Sequence, residues 1–561
     1  MCGLAGWAIG STTAGRAPDV SALGSMIEAL PHRNSGEISG LVDTGPRRAV
    51  ALAAEINDAP SGISLSFDGA LLNAAELRAE LAKRGHAFEG DGDAEVLLRA
   101  YQHWDKEVVK RLRGPFAFAV WDAGKERLLL ARDHFGQKPL YLHEAGGALA
   151  FASELRALVR APMVKGEVDV GAVGEYLAAG YVRSPRTLVA GVRKLAPGSY
   201  AMWQFGKLRT VRYWQPPDGQ ESHAPEAGDP VEAFIEKLDE TVHLHMSHGG
   251  PVGVLLSGGY DSAAIVALMK RHSERIATFS AGFAEDKRSE LAAAARVAAH
   301  FGAEHHEVVL ARRDVLADLP RLVASRDAPF SRPADVALHL LARHAARSVK
   351  VALSGDGGDE ILGGYRRHTF LRTLAPKQVK PNGLFVIPIE APQAISGDQD
   401  ENSSLRKVLY YEQTGWLPDN LLERSERMTT AAALSLRTPF VDPRIAEYVS
   451  GLPDAARVRG LSTKWILRQA DARLMNGAAL KLNKAGFRIP LADLMRGELR
   501  DLVAGHLGGQ DCLTRAYYEG KVLDRMLDEH FASKRNHENT LWTLLNLEIW
   551  HRNHSANRRT A

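Results

Sequence analysis

Twice in the second half of this chain an apolar strand runs straight into a loop of serine, glycine and aspartate and then into a helix. The first instance is LLSGGYDSAAI, from Leu255 to Ile265, and the second is LSGDGGDEILGGYRR, from Leu353 to Arg367. Strands that end in such loops and alternate with helices belong to a parallel sheet covered on both faces, and ligands of such sheets gather at the carboxyl ends of the strands. The surrounding segments have the matching periodicities: DSAAIVALMKRH, SELAAAARVAAHFG and VALHLLARHAARS read as helices, and GPVGVLLSG, RIATFSAGF, HHEVVL and VKVALSG as strands. A doubly wound parallel sheet is therefore predicted, followed by a mainly helical remainder from about 365 to 550.

The first part of the chain has another texture. From Met1 to about Trp214, short apolar or alternating runs (GISLSFDG, PFAFAVWD, RLLLARD, GALAFASE) read as strands, and AAELRAELAKRG and AEVLLRAYQHW as helices, which predicts a mixed α+β domain. Between the two parts, QPPDGQESHAPEAGDP has no large aliphatic residue and cannot contribute to a core. The expected organisation is a first domain over 1–214, a linker over 215–230, a second domain over 231–550 and a solvated basic tail over 551–561.

Bulk numbers narrow the function. A chain of 561 residues is too long for one ordinary core. Seventy basic against 67 acidic side chains leave a formal charge of +3, so no global field favours nucleic acid or an anionic membrane, and small molecules are the expected partners. Cys2 and Cys512 are the only cysteines, too few for a disulfide framework or a cysteine-rich zinc cluster. No run of about twenty apolar residues and no secretory leader is visible, so the cytoplasm is the expected location.

Individual residues suggest chemistry. Cys2, once the preceding Met is removed, would carry a thiol and an α-amine on one residue, a nucleophile with its own base. Glycines in the two loops let backbone approach phosphate, a following helix adds amide donors, and the carboxylates suit Mg²⁺ with its preference for hard oxygen ligands. Glu304-His305-His306-Glu307 looks like a metal set, but neighbours on a strand face opposite ways, so a structural role is expected. Cys512 has no catalytic neighbourhood and is read as structural.

MCGLAGW, HRNSG at 32–36, FDGALLN at 67–73, GDAEVLLRAY at 92–101 and ARDHFGQKPLYL at 131–142 resemble, in order, the signatures of class II glutamine amidotransferases. The two glycine loops resemble those of ATP pyrophosphatases, and STKWILRQA and LNKAGFRIPL place Lys464 and Lys484 at a spacing that also occurs in asparagine synthetases. The whole chain thus resembles the glutamine-hydrolysing asparagine synthetases. That resemblance implies an N-terminal αββα sandwich of the Ntn-hydrolase type and a C-terminal doubly wound sheet of the adenine-nucleotide α-hydrolase type with added helices. It implies ATP and Mg²⁺ as cofactors, glutamine or ammonia and a carboxylate as substrates, and allows a homodimer.

The implied roles are these. Cys2 attacks glutamine, Gly69 donates to the oxyanion, Arg48 clamps the glutamine carboxylate, Asp93 its ammonium, and Asp68 belongs to the same pocket. Leu256, Ser257, Gly258, Gly259, Asp261, Ser262, Ala281, Ser354, Gly355 and Lys464 surround the nucleotide. Asp261 and Asp359 hold the metal, Asp356 lines the reacting centre, and Lys484 neutralises charge on pyrophosphate and on the tetrahedral intermediate. Departures are equally specific. Asp68 stands where the family reads Asn, and an ionised carboxylate there would repel an oxyanion; Ala70 replaces a Glu; Ala328 and Arg332 replace acids; Ser435 stands where Glu is common. The expected reaction is aspartate, glutamine and ATP to asparagine, glutamate, AMP and pyrophosphate. The alternatives are another carboxylate in specialised metabolism, fed by free ammonia, and a non-catalytic binding or regulatory relative.

Overall fold

The structure is a computed structural model and describes residues 3–10, 20–33, 39–45, 48–58, 60–218, 228–247, 250–283, 290–311, 319–330, 332–369, 384–386, 404–475, 482 and 489–560. The chain divides into two compact units, one of Met1–Asp169, Arg183–Gln215 and His554–Ala561, the other of Val170–Val182 and Pro216–Asn553.

The strands of the first unit are β1 (Ala5–Gly10), β2 (Ser39–Gly45), β3 (Arg48–Ala54), β4 (Ile56–Asp58), β5 (Ile63–Gly69), β6 (Phe116–Asp122), β7 (Arg127–Arg132), β8 (Tyr141–Ala145), β9 (Ala148–Ala152), β10 (Val192–Lys194), β11 (Ser199–Gln204) and β12 (Lys207–Arg212). Among the described residues they form two six-stranded sheets, in the orders β10-β8-β9-β1-β3-β2 and β12-β11-β7-β6-β5-β4. The pairing throughout is antiparallel. Strand β6 shows why the layers stack. Its Ala117, Ala119 and Trp121 enter the core between the sheets with Leu52, Leu149 and Trp203, whereas Phe116, Phe118 and Val120 turn outward onto Leu77, Leu97 and Tyr101. Those last three lie on helices Ala74–Lys83 and Asp93–Trp104, the two that the spacing of apolar residues predicts. With helix Val20–Glu28 against the other sheet, the result is the predicted αββα sandwich.

In the second unit β13 (Val252–Leu255), β14 (Ala277–Phe283), β15 (Glu304–Leu310), β16 (Val351–Leu353) and β17 (Ser435–Arg437) form a parallel sheet in the order β15-β14-β13-β16-β17. The order reverses at β13, so the chain winds outward from it in both directions. The loops that follow β13 and β16 therefore face one another across the switch point. Strand β17 escapes a sequence reading because three residues, SLR, carry no periodicity.

Three boundaries differ from expectation. Asp229 and Pro230, read as linker, begin helix Pro230–Met246, with Asp229 accepting from the Val231 amide at 2.9 Å; residues 219–227 lie outside the described part. Helix Val170–Ala179, inside the expected first domain, belongs to the second unit, where the Tyr176 hydroxyl bonds to the carbonyls of Phe330 and Thr543 at 3.0 and 3.2 Å. The expected basic tail continues helix Glu538–Thr560, and its His554 is buried, 2.7 Å from the Gly166 carbonyl. No described helix is long and apolar enough to cross a membrane.

Phe118 is fully buried on the face of β6 that meets the two helices. Truncation to Ala is expected to destabilise the protein by about 3–5 kcal/mol, measured by urea unfolding followed by tryptophan fluorescence.

Candidate active sites

In the first unit the motif FDGALLN closes β5 and turns away from it. Asp68 and Gly69 end the strand opposite Ala117 and Phe116, and the amides of Ala70 and Leu72 then bond to the carbonyls of Pro115 and Arg113. Gly69 has φ of +145°, and a Cβ there would fall onto the Pro115 carbonyl, so only glycine fits. Asn73 pins the turn further, donating to the Arg111 carbonyl at 2.8 Å and accepting from the Arg113 amide at 3.0 Å.

Asp68 is fully buried, and its carboxylate lies between two buried cations, with Arg33 Nη1 2.9 Å from Oδ2 and Lys138 Nζ 3.1 Å from Oδ1. Arg33 is held in turn by Glu154, at 2.6 Å from Nε, which also pairs with His32 and Arg156. The charge foreseen as a bare repulsive carboxylate is therefore compensated from both sides. It still presents no donor to an oxyanion. Lys138 is placed by the ARDHFGQKPL motif: Asp133 accepts from the amides of Phe116, Phe135, Gln137 and Lys138, and Arg132 donates to the carbonyls of Gly136, Lys138 and Leu195. Burial pushes the Asp133 carboxyl up to about 6 despite those donors.

Two other residues expected to hold glutamine have protein partners. Arg48 pairs with Asp43 and Glu126 at 3.0 and 2.8 Å and lies over Trp121. Asp93, at the start of its helix, accepts from the Leu71 amide at 2.8 Å and so ties the helix to the Gly69 turn. Cys2 lies outside the described residues.

In the second unit the first glycine loop leaves β13 and enters helix Tyr260–His272 with Gly259 as its cap. Ser257 and Ser262 approach hydroxyl to hydroxyl at 3.1 Å, the Ser257 amide donates to Ser262 Oγ at 3.2 Å, and Ser280 donates to the Leu256 carbonyl at 2.5 Å. The second loop leaves β16, and its Ser354 hydroxyl accepts from the Asp356 amide at 3.3 Å. A cavity of about 360 Å³ opens between the two loops, lined by Leu256, Ser257, Gly259, Asp261, Ser262, Ala281, Ser354, Gly355, Asp356 and Asp359 among others. Gly258 sits in the same loop, in the left-handed region at φ +73°.

Asp261 and Asp359, predicted as metal ligands, do converge, and Lys464 lies between them. Its Nζ is 2.5 and 2.6 Å from the Asp261 oxygens and 2.7 Å from Asp359 Oδ1. Lys464 caps helix Trp465–Leu474 from a left-handed conformation, φ +52°, which turns the side chain toward the loops. Gly364 makes room for this cluster, since a Cβ there would overlap both Asp359 Oδ1 and Lys464 Cε. Two carboxylates converging on one point of positive charge are a donor set that fits Mg²⁺ with nucleotide oxygens completing the shell. Among the described residues no group of three or more His, Cys, Asp or Glu side chains gathers around a metal position. Asp471, buried on the same helix with neither oxygen hydrogen-bonded, has its carboxyl pushed well above the usual range by burial and by Asp261.

The far end of the cavity holds residues that sequence reasoning did not single out: Glu360, Tyr365, Trp416 and Arg424, beside Arg332. Asp356 accepts from Ser425 Oγ at 2.6 Å, and Arg424 pairs with Asp335 at 3.2 Å, where Arg326 also binds at 3.0 Å. Arg332 rests over the Trp416 ring at 5.3 Å. Glu360 is fully buried and accepts the Tyr365 hydroxyl at Oε1; burial and the charge of Asp359 push its carboxyl up to about 7. Glu360 could have been found, because it completes the acidic run of the second loop. Arg424 and Trp416 belong to a helical stretch that offers no motif. Lys484 lies outside the described residues.

On β15 the four-residue Glu-His-His-Glu run pairs within each face, His305 with Glu307 at 3.3 Å and His306 with Glu304 at 3.1 Å, as strand alternation requires. Cys512 is buried, with its sulfur 3.5 Å from Glu548.

A glutaminase-type sandwich joined in one chain to a nucleotide-loop sheet is the architecture of a glutamine-dependent ligase. Sequence models agree: that of asparagine synthase matches residues 233–552 and that of the glutamine amidotransferase domain residues 1–214. The chain belongs to the asparagine synthase family, ATP-dependent ligases that hydrolyse glutamine. It is 33% identical to a putative glutamine-hydrolysing asparagine synthetase of Mycobacterium tuberculosis, over 88% of this chain and 85% of that one. It is 31% identical to asparagine synthetase 1 of Bacillus subtilis, over 86% and 84%, and to asparagine synthetase B of Escherichia coli, over 54% and 52%.

Asp68→Asn supplies the amide donor that the turn lacks. Glutamine hydrolysis is expected to rise by on the order of tenfold or more, with ammonia-dependent turnover unchanged and the melting temperature lowered as Lys138 and Arg33 lose a buried partner. A glutaminase assay with a thermal melt checks both.

For Glu360 the folded value of about 7 lies above the ordinary 4.5, so the folded protein takes up a proton between those limits. Stability from this group is therefore higher on the acid side and is lost as pH rises through about 7. Glu360→Gln is expected to match the parent near pH ~5 and to exceed it near pH ~8.5 by on the order of 3 kcal/mol, read from denaturant unfolding at both values.

Proposed function

We propose that this chain forms an amide from a carboxylic acid through an acyl-adenylate, and that the acid is aspartate and the product asparagine. The observation that carries the reading is the convergence of Asp261, Asp359 and Lys464 beneath two glycine loops, with Asp356 in the same cavity. Residues 231–550 are assigned to this synthesis, and 1–214 to release of ammonia from glutamine.

In the proposed sequence a carboxylate oxygen of the acceptor attacks the α-phosphorus of ATP, and the bond to pyrophosphate breaks. Ser257, Gly259, Ser262, Ser354 and Gly355 cradle the phosphates, and Leu256 and Ala281 line the nucleotide end. Asp261 and Asp359 would hold Mg²⁺, which when bound would offset charge on the pyrophosphate, and Lys464 adds a positive charge to the same cluster. Ammonia next attacks the acyl carbon, AMP leaves, and Asp356, oriented by Ser425, stands beside that centre to accept a proton. By resemblance Cys2 is the glutaminase nucleophile with Gly69 in its oxyanion hole, Arg48 and Asp93 hold glutamine, and Lys484 assists at the intermediate. Arg48 would then exchange its present partners, Asp43 and Glu126, for the glutamine carboxylate. A cytoplasmic location fits the two cysteines and the small-molecule substrates.

The test is mass spectrometry of amide product and AMP from purified protein with ATP, Mg²⁺ and aspartate, comparing glutamine with ammonium. Asparagine and AMP from both donors are expected. Asp261→Asn and Asp359→Asn are each expected to lower AMP formation by about a hundredfold or more while leaving glutamine hydrolysis intact. AMP formed with a different acid, and no asparagine, would move the assignment to another acceptor, a reading that Ala328 and Ser435, where the family reads acids, favour.

A further inference from the structure

The cavity of the second unit contains two opposite charges that the nucleotide-facing residues do not use. Glu360 is fully buried; its Oε1 takes the Tyr365 hydroxyl, and Oε2 has no hydrogen-bond partner. A buried carboxylate oxygen without a donor is costly, and in a ligand cavity it invites a donor from the ligand. Arg332, at the rim, forms no ion pair among the described residues and rests on the face of Trp416. The remaining charges at this end are committed: Arg424 and Arg326 to Asp335, and Asp356 to Ser425.

The carboxyl of Glu360 is also held in orientation. Tyr365, which donates to it, is followed by His368, whose Nδ1 accepts from the Tyr365 amide at 3.2 Å and whose Nε2 lies 3.0 Å from Glu412. Gln413 donates to the Glu360 carbonyl at 3.1 Å. A fixed acid and a stacked guanidinium in one cavity, each with unused capacity, complement a zwitterion.

Building on the reading above, we propose that this end of the cavity recognises the α-amino-acid head of a dicarboxylic acceptor, with Glu360 taking the ammonium and Arg332 the α-carboxylate. The second carboxylate is then left for adenylation beside Asp356. Arg332, a departure from the acid usual in the family, becomes a specificity residue for the acceptor.

Three acids separate the two contacts: aspartate has both groups, succinate lacks the ammonium, and β-alanine lacks the α-carboxylate. Each is measured with the full chain, ATP and Mg²⁺, as a substrate for AMP formation or as a competitive inhibitor against aspartate. Arg332→Ala is expected to raise KM or Ki about tenfold for aspartate and succinate and leave β-alanine unchanged; Glu360→Gln is expected to do so for aspartate and β-alanine and leave succinate unchanged. Equal losses for all three acids, or no loss in Arg332→Ala, would overturn the proposal. The rim position of Arg332 keeps that arm decisive whatever Glu360→Gln does to stability. Absence of AMP with all three acids in the parent protein would instead overturn the functional reading itself.

Discussion

The ammonium of Lys464 between Asp261 and Asp359 is the interaction on which the second unit's site depends. Three stretches distant in sequence meet there: the loop after β13, the loop after β16 and the start of helix Trp465–Leu474. Two carboxylates brought this close repel one another unless a cation intervenes. The lysine therefore holds the loops in register, and its left-handed backbone and the bare Cα of Gly364 are the local concessions that let it enter. One ammonium against two carboxylates leaves the cluster with one net negative charge, which a bound cation would offset.

The first unit solves a similar problem differently. Asp68 sits between Arg33 and Lys138, and each cation is oriented by a scaffold of its own: Glu154 for Arg33, the Asp133 and Arg132 loop for Lys138. Charges that the motifs suggest for chemistry also have structural partners here. The residues that shape the turn, Gly69, Asn73 and Asp93, do so through backbone contacts.

Much of this was legible in the sequence because it depends on local rules. The short apolar run PFAFAVWD marked a strand, and the structure divides its residues between two cores. The two glycine loops marked strand ends of one parallel sheet, and the observed strand order sets both at its switch point. What could not be read depends on long-range contact. Nothing in SLR marks β17 as a strand; neighbouring β16 makes it one. Helix Val170–Ala179 looks like part of the domain that surrounds it in sequence, and its contacts, among them the bonds of Tyr176 to Phe330 and Thr543, assign it elsewhere. Among the site residues, Asp261 and Asp359 were visible as acids in glycine-rich turns, but their engagement with Lys464 was not. The pairing of Arg48 with Asp43 and Glu126 was equally hidden, because ion pairs across strands leave no spacing signature.

The compensated burial of Asp68 has an evolutionary corollary. A carboxylate sealed between a lysine and an arginine is entrenched, because neutralising it would take a buried partner from two cations in a space closed to water. Loss of charge at position 68 is therefore expected to be tolerated better together with a change at Lys138 than alone. Epistasis of this kind would let the ammonia-releasing half drift in rate while the fold that carries it stays constrained, and would leave the amide-forming half free to evolve under its own selection.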